Sequence, residues 1–237
     1  MRIVIISFML VFSMLFLFVG CVDLSMDTSE DNSSNKNANK GEHSDITSKQ
    51  ENNIDYILLG KYEQDGNLDN GPEIIQWIPL YEQNGNVMLI SRYILDYKEF
   101  NDTTIAKATS WEHSSLRKWL NEDFFNSAFS STEQNKIVTT QVQDYKSDNV
   151  LGDITSDKVF LLNKEQAFTY FTTDYDRSAI STPYAETTVR FPNDGYWLID
   201  SYSSDLYKYL INSKGRNENN PRVNESEGVR PVIWIIK

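Results

Sequence analysis

The side chains able to do chemistry in this 237-residue chain are few in kind: one Cys, two His and 34 carboxylates set against 22 Lys and Arg. A single cysteine, Cys21, excludes an internal disulfide framework and any multi-cysteine metal cluster. Past residue 53 only His113 remains as a base for a Ser-His-Asp or Cys-His arrangement, and no thiol is present to serve as nucleophile. His113 precedes a capped helix, a position that suits a hydrogen-bonded structural role. Paired carboxylates of the kind used in glycoside hydrolysis are available, but no spacing selects two of them. Calcium has one partial pattern. Asp65-x-Asn67-x-Asp69 matches the first three ligands of an EF-hand loop, yet Gly71 comes one residue late and Gln76 stands where the closing Glu belongs, which reads as a plain turn. Asp144, Asp148, Asp153 and Asp157 form a second acidic stretch without ligand spacing. The net charge of -12 argues against nucleic acid, whose binding needs clustered cations.

The position of Cys21 gives it a different use. Residues 1–20 hold one charge, Arg2, then an apolar run over 3–19 broken only by Ser7 and Ser13, the layout of a secretion signal. Phe18-Val19-Gly20-Cys21 resembles the lipobox of bacterial lipoproteins, with Phe18 where Leu is usual. That resemblance implies cleavage before Cys21 and lipidation (palmitate) of its thiol, so that the mature chain is tethered to the outer face of the cell membrane. Two acyl chains anchor stably where one is marginal.

Residues 22–53 read as a linker. They contain seven acids, three Lys, six Asn and six Ser and no aromatic residue. Such a segment buries too little surface to offset chain entropy, and disorder is expected. As a flexible coil it would hold the rest of the chain roughly 30 Å from the membrane. The expected organisation is therefore a signal peptide at 1–20, a lipidated Cys and linker at 21–53, and one domain at 54–237. That domain carries all five Trp and all thirteen Tyr, enough for a well-filled core, and a net charge of -9.

Strands are expected over 54–59, 73–78 and 87–90, a meander whose second turn is the hairpin signal Gln83-Asn84-Gly85-Asn86. Helical spacing then takes over. Leu116, Trp119 and Leu120 follow the capping serines Ser114 and Ser115. A short helix is expected from Ser131 with Gln134 as its capping-box partner and Ile137 and Val138 on the inner face, and another after Asn163. Strand patterns return over 196–199, 206–212 and 229–236. Strands at both ends around a helical middle make the fold class α+β, with the ends of the domain paired in one sheet.

Residues 57–62, Gln76-Trp77-Ile78, Leu89-Ile90-Ser91, Trp111, Ser114-Ser115-Leu116-Arg117-Lys118-Trp119-Leu120-Asn121, Val159-Phe160-Leu161-Leu162, Arg177, Tyr184-Ala185, Trp197-Leu198 and Gly228-Val229-Arg230-Pro231 with Trp234 recur in this order in a known group. Together they resemble an uncharacterised domain family of secreted and surface proteins of Gram-positive bacteria, clostridia and relatives, over essentially the whole domain. More distantly, the Trp-Leu strand and Gly-Val-Arg ending are similar to formylglycine-generating-enzyme and C-type-lectin-like folds. Formylglycine-generating enzymes use a cysteine pair that binds copper, and the domain has no cysteine, so the likeness implies a binding scaffold without that activity. In the family an Arg commonly follows the Trp-Leu pair; here Ile199 and Asp200 stand in its place.

The expected function is a surface-anchored lipoprotein with a non-catalytic binding module for an envelope polymer, a carbohydrate or a protein. The alternatives are a carboxylate-dependent hydrolase of envelope glycans and a structural or accessory envelope protein. No cofactor is expected, although a lectin-like fold would permit calcium between loops. Trp111, Trp119, Trp197 and Trp234 read as core, and Arg117, Arg177 and Arg230 as partners of buried carboxylates or backbone carbonyls. Candidate ligand contacts are Tyr175, Arg177, Tyr184, Tyr202 and Tyr207, because Tyr and Arg on loops are effective binding residues.

Overall fold

A computed structural model of the chain describes residues 47–51, 54–147, 150–218 and 220–237. Cys21, the signal segment and the linker up to residue 46 lie outside them, as does Asp148.

The meander expected at the start of the domain is present and longer than its apolar runs. Strands β2 (Ile54–Tyr62), β3 (Glu73–Gln83) and β4 (Asn86–Ser91) pair antiparallel in sequence order. Between β3 and β4, Asn84 and Gly85 both take positive φ, 52° and 77°, as a two-residue turn matched to strand twist requires. Pro79 sits inside β3, where it removes a ladder donor, and the register shifts between Pro79 and Tyr81.

Two expectations need correction here. The linker does not run to residue 53 without structure, because β1 (Thr47–Glu51) pairs antiparallel with β2. Polar composition limits burial, but an edge strand is held by main-chain bonds that no composition forbids. The last stretch, 229–236, is two strands and not one. β11 (Ser226–Val229) and β12 (Val232–Ile236) belong to different sheets, broken at Arg230-Pro231, and β12 lies between β4 and β8 (Val159–Phe160).

The resulting six-stranded sheet has the order β1-β2-β3-β4-β12-β8 and joins both ends of the domain, as expected. A second sheet has the order β10-β9-β11-β5, built from β5 (Asp96–Glu99), β9 (Tyr196–Ser201), β10 (Lys208–Ile211) and β11. Every residue of β9 is buried. Gly228 explains part of the closing motif: its N–H donates to the Gly195 carbonyl at 2.9 Å, and a Cβ there would collide with that oxygen. A two-stranded hairpin, β6 (Thr140–Tyr145) with β7 (Leu151–Asp157), completes the strands among the described residues.

The helices are short. α1 (Ser115–Trp119) is capped by the Ser114 side chain and runs through a π-helical turn, Leu120–Phe124, into α2 (Phe125–Ala128). α3 (Ser131–Gln134) is capped one residue earlier than expected, by Ser130 with Glu133 completing the capping box. It ends before Ile137, which instead bridges to Ile235 of β12. α4 (Lys164–Tyr170) has the capping box of Asn163 and Gln166. α5 (Asp174–Arg177) and α6 (Pro183–Thr187) are single turns. The body is thus mostly sheet with few helices, compatible with the α+β expectation. No helix among the described residues is long and apolar enough to cross a membrane.

Leu89, Ile90, Trp77, Trp111, Trp197, Phe100, Phe124 and Ile233 lie in one continuous core that both sheets share. Trp119 and Trp234 are only partly buried against it, so they stand at its edge and not within it. The three motif arginines hold this frame together. Arg117 pairs with buried Asp157 at 2.7 Å. Arg177 donates to the carbonyls of Ala167, Phe171 and Gly215, and Arg230 to those of Ser91 and Arg177.

Candidate functional site

Helix α4 begins at Asn163 because that side chain accepts the Gln166 N–H, while Gln166 accepts the Asn163 N–H in return. Ala167 faces the core, and Lys164, Glu165, Gln166, Phe168 and Tyr170 line three neighbouring concavities.

The first is a pocket of about 370 Å³ where Lys164, Glu165 and Phe168 of α4 meet Tyr145, Tyr202 and Tyr209. Tyr202 and Tyr209 touch edge to face at 5.4 Å, and the Lys164 ammonium lies 4.3 Å from the Tyr209 ring centre. Asp200 forms its base. The Asp200 carboxylate is 3 % exposed, accepts the Tyr145 N–H at 2.8 Å and the Lys164 N–H at 2.7 Å, and so ties both walls to β9. Burial pushes its pKa up to about 6 against the pull of those two N–H bonds. Behind it Lys208 is fully buried, with its Nζ 2.8 Å from Ser201 Oγ and 4.6 Å from the Phe100 ring centre, and burial brings its pKa down to about 8. Asp144, beside this group, keeps one buried oxygen without a hydrogen bond among the described residues.

The second concavity shares Tyr145 and reaches Gln166 and Trp234. Tyr81 connects it to the third, since its ring meets Trp234 at 6.2 Å and stacks on Tyr170 of α4 at 5.8 Å. That third concavity is a groove of about 500 Å³ between β3 and the segment 170–180. Tyr56, Tyr93, Tyr170 and Tyr175 line it, and the Arg92 guanidinium lies 4.6 Å and 4.9 Å from the Tyr56 and Tyr93 ring centres. Aromatic rings therefore run along α4 from Tyr202 to Tyr175, and most are half-buried or exposed.

The five side chains anticipated from sequence do not form one site. Tyr202 lines the pocket, and Tyr175, 87 % exposed, lines the groove. Tyr184 packs edge-on against Tyr62, and Tyr207 meets Arg222 at 3.3 Å. Arg177 fits the reading as a partner of backbone carbonyls and not the one as a ligand contact: it is 4 % exposed, with its guanidinium bonded to three carbonyls and to Asp174, an internal brace. Missed altogether were Tyr145, Tyr209, Tyr56 and Tyr170, which strands and a helix end deliver, and Tyr93, in the bend between β4 and β5. Asp200 had one signal, its appearance where the resemblance led one to expect Arg.

Other sequence candidates resolve into local structure. Asp65 and Asn67 accept the N–H groups of Asn67 and Asp69, making the turn that was expected. Glu63, Asp65 and Glu73 do bring carboxylate oxygens within 4.8 Å of one another, but Glu63 and Glu73 also accept backbone N–H groups of the same loop. Asp144 and Asp157 are interior acceptors for Trp111, while Asp153 lies 4.0 Å from Lys146. His113 is exposed, 3.8 Å from Glu112.

Among known proteins, a family model described as Domain of unknown function (DUF6273) matches residues 84–237. The match opens at the turn between β3 and β4, so the first strands of the meander precede it although they pair with strands inside it. No curated protein and no solved structure matches the chain.

Proposed function

The chain belongs to the DUF6273 family, and from that premise we propose that its body is a non-catalytic module that binds an extracellular polymer, with a carbohydrate as the favoured ligand. The observation that carries this reading is the run of aromatic concavities along α4. Exposed aromatic surface next to polar groups marks interaction sites more often than it occurs by chance, and tyrosine supplies contact area at low entropic cost. Sugar rings offer apolar faces to such rings and hydroxyls to groups such as Glu165 and Lys164.

The body is further proposed to hang from the outer face of the cell membrane through a lipid on Cys21, on a spacer rich in Ser, Asn and acids, as in Gram-positive surface lipoproteins. The fold is proposed to be a cysteine-free relative of the formylglycine-generating-enzyme and C-type-lectin-like scaffolds. In support, the body lacks the copper-binding cysteine pair and presents its pocket between elements of different sheets. Palmitate labelling of cells expressing the chain is expected to fall to background with Cys21→Ser. Equal labelling of both would remove the anchor from this reading.

One observation favours a hydrolase as the second reading: Asp200, with its pKa near 6, shares a pocket with Glu165. A general acid needs a proton aimed at the leaving group, however, and both Asp200 oxygens already accept backbone N–H bonds. Binding without turnover is therefore preferred. Calorimetric titration of the full chain in detergent with soluble polysaccharides should show binding that Tyr202→Ala and Tyr175→Ala each weaken by roughly ten-fold. Release of reducing ends that Glu165→Gln abolished would favour the hydrolase instead.

A further inference from the structure

Arg230 carries a charge that the protein does not neutralise. Its residue is 2 % exposed, and among the described residues no carboxylate lies within 4.0 Å of it. Nε donates to the Ser91 carbonyl at 2.9 Å, and Nη1 to the Arg177 carbonyl at 3.3 Å and the Tyr196 hydroxyl at 3.4 Å. The rings of Phe171 and Tyr196 each lie 5.2 Å from its central carbon. Those contacts leave Nη2 without a hydrogen bond among the described residues. Arg230 also lines the groove, beneath Tyr56, Tyr175 and Ile180.

A buried guanidinium is costly unless it meets an anion or a full set of acceptors, and carbonyls and ring faces meet that need only in part. The nearest arginine, Arg177, shows the ordinary solution, an ion pair with Asp174 at 2.9 Å. Arg230 has no such partner and opens into a groove lined by tyrosines. The acid on the groove wall, Asp176, is exposed and bonded to Thr173, where water screens it.

We propose that the groove is an anion-recognition site, and that the polymer bound along α4 is an acidic glycan whose ring-borne carboxylate or phosphate oxygens accept from Arg230 Nη2. This rests on the polymer-binding reading given above and names the ligand class for one end of that surface. The tyrosines contact the sugar ring, and the guanidinium, whose Nη2 opens to the groove, discriminates charge, since a charge-assisted bond is stronger than a neutral one.

Arg230→Gln would disturb three structural bonds together with the charge, so the sign of the charge is read at the rim instead. Ile180 is 62 % exposed and lines the same groove. The full chain in detergent is titrated with a polyuronate, a glycerol-phosphate polymer, a neutral glucan and polyglutamate. The polyuronate, the phosphate polymer or both should bind roughly ten-fold more tightly than the glucan, with a difference that shrinks as salt rises. Ile180→Glu should then weaken the acidic glycans about ten-fold while Ile180→Lys does not, and the glucan should respond alike to both. Which acidic glycan binds identifies carboxylate or phosphate as the source. Equal affinity for glucan and acidic glycans, or equal effects of the two Ile180 variants on the acidic ones, overturns the anion site and leaves polymer binding standing. Tight binding of polyglutamate alone overturns the glycan. No binding of any polymer removes the underlying reading and this inference with it.

Discussion

Asp157→Ala is expected to lower the stability of the folded body by about 3–5 kcal/mol, the range for breaking a buried ion pair from one side. The Asp157 side chain is fully buried and accepts three bonds, from Arg117 Nε at 2.7 Å, Trp111 Nε1 at 2.9 Å and Thr155 Oγ1 at 2.6 Å. Those donors come from α1, the loop before it and β7, so one carboxylate closes the junction between the helical segment and the hairpin. Removing it strands an indole N–H on a fully buried Trp, at about 1–3 kcal/mol for an unsatisfied buried group, and leaves a guanidinium without its counter-ion. Arg117→Ala should cost a comparable amount, about 2–4 kcal/mol, because it leaves the fully buried Asp157 carboxylate with two neutral donors and no counter-ion. Urea titrations of the three proteins at one pH give the comparison. An Asp157→Ala loss under about 1 kcal/mol would show that the carboxylate does not hold this junction.

Where the sequence predicts structure well, the forces act within a few residues. The Asn84-Gly85 turn, the Ser114 cap and the Asn163–Gln166 capping box are each decided by bonds between near neighbours. The start of α3 shows the limit of that kind of inference. Ser130 and Ser131 precede Glu133 and Gln134, so two capping boxes are possible one residue apart. A distant contact breaks the tie: Glu133 also accepts the Gly60 N–H at 2.9 Å, across 73 positions of chain. The division of 229–236 into β11 and β12 has a local cause, Pro231, whose meaning appears only when Arg230 is seen folding back onto Ser91.

The candidate site was much less legible for the same reason. Tyr202 and Tyr175 stand out as loop-borne aromatics, but the pocket depends on Asp200 reaching Tyr145 and Lys164, which are 55 and 36 positions away. No spacing in the chain signals such convergence. Arg177 admitted two readings, a surface contact between Tyr175 and Tyr184 and a partner of backbone carbonyls, and nothing in its local sequence chose between them. Its neighbours Ala167, Phe171 and Gly215 offer carbonyls inside the fold, and these draw the side chain inward.

The buried charges behind the pocket should give the protein an unusual dependence of stability on pH, with a minimum between about pH 6 and 8. Asp200 has its pKa raised from 3.8 to about 6 on folding, chiefly by burial. Between those values the folded state keeps a proton that the unfolded state has released, so stability falls as pH rises through that window and is flat above it. Two units correspond to about 2–3 kcal/mol. Glu227, only 7 % exposed and raised from 4.5 to about 6 chiefly by burial, acts in the same direction and adds about 1–2 kcal/mol. Lys208 works from the other side. Burial lowers its pKa from 10.5 to about 8, so between those values the unfolded state binds the extra proton and stability rises with pH. Asp65, Asp174 and Glu133 have lowered pKa values and oppose the acid limb only below about pH 4, outside the range that decides the matter. Urea midpoints at pH 5, 7 and 9 should therefore be lowest at 7, and Asp200→Asn and Glu227→Gln should each remove about half of the difference between 5 and 7. Stability that rose steadily from pH 5 to 7 would contradict the raised Asp200 pKa. Because the Asp200 carboxylate holds both walls of the pocket, polymer affinity should change with the same midpoint as the acid limb, and Asp200→Asn, unlike Glu227→Gln, should remove that change in affinity.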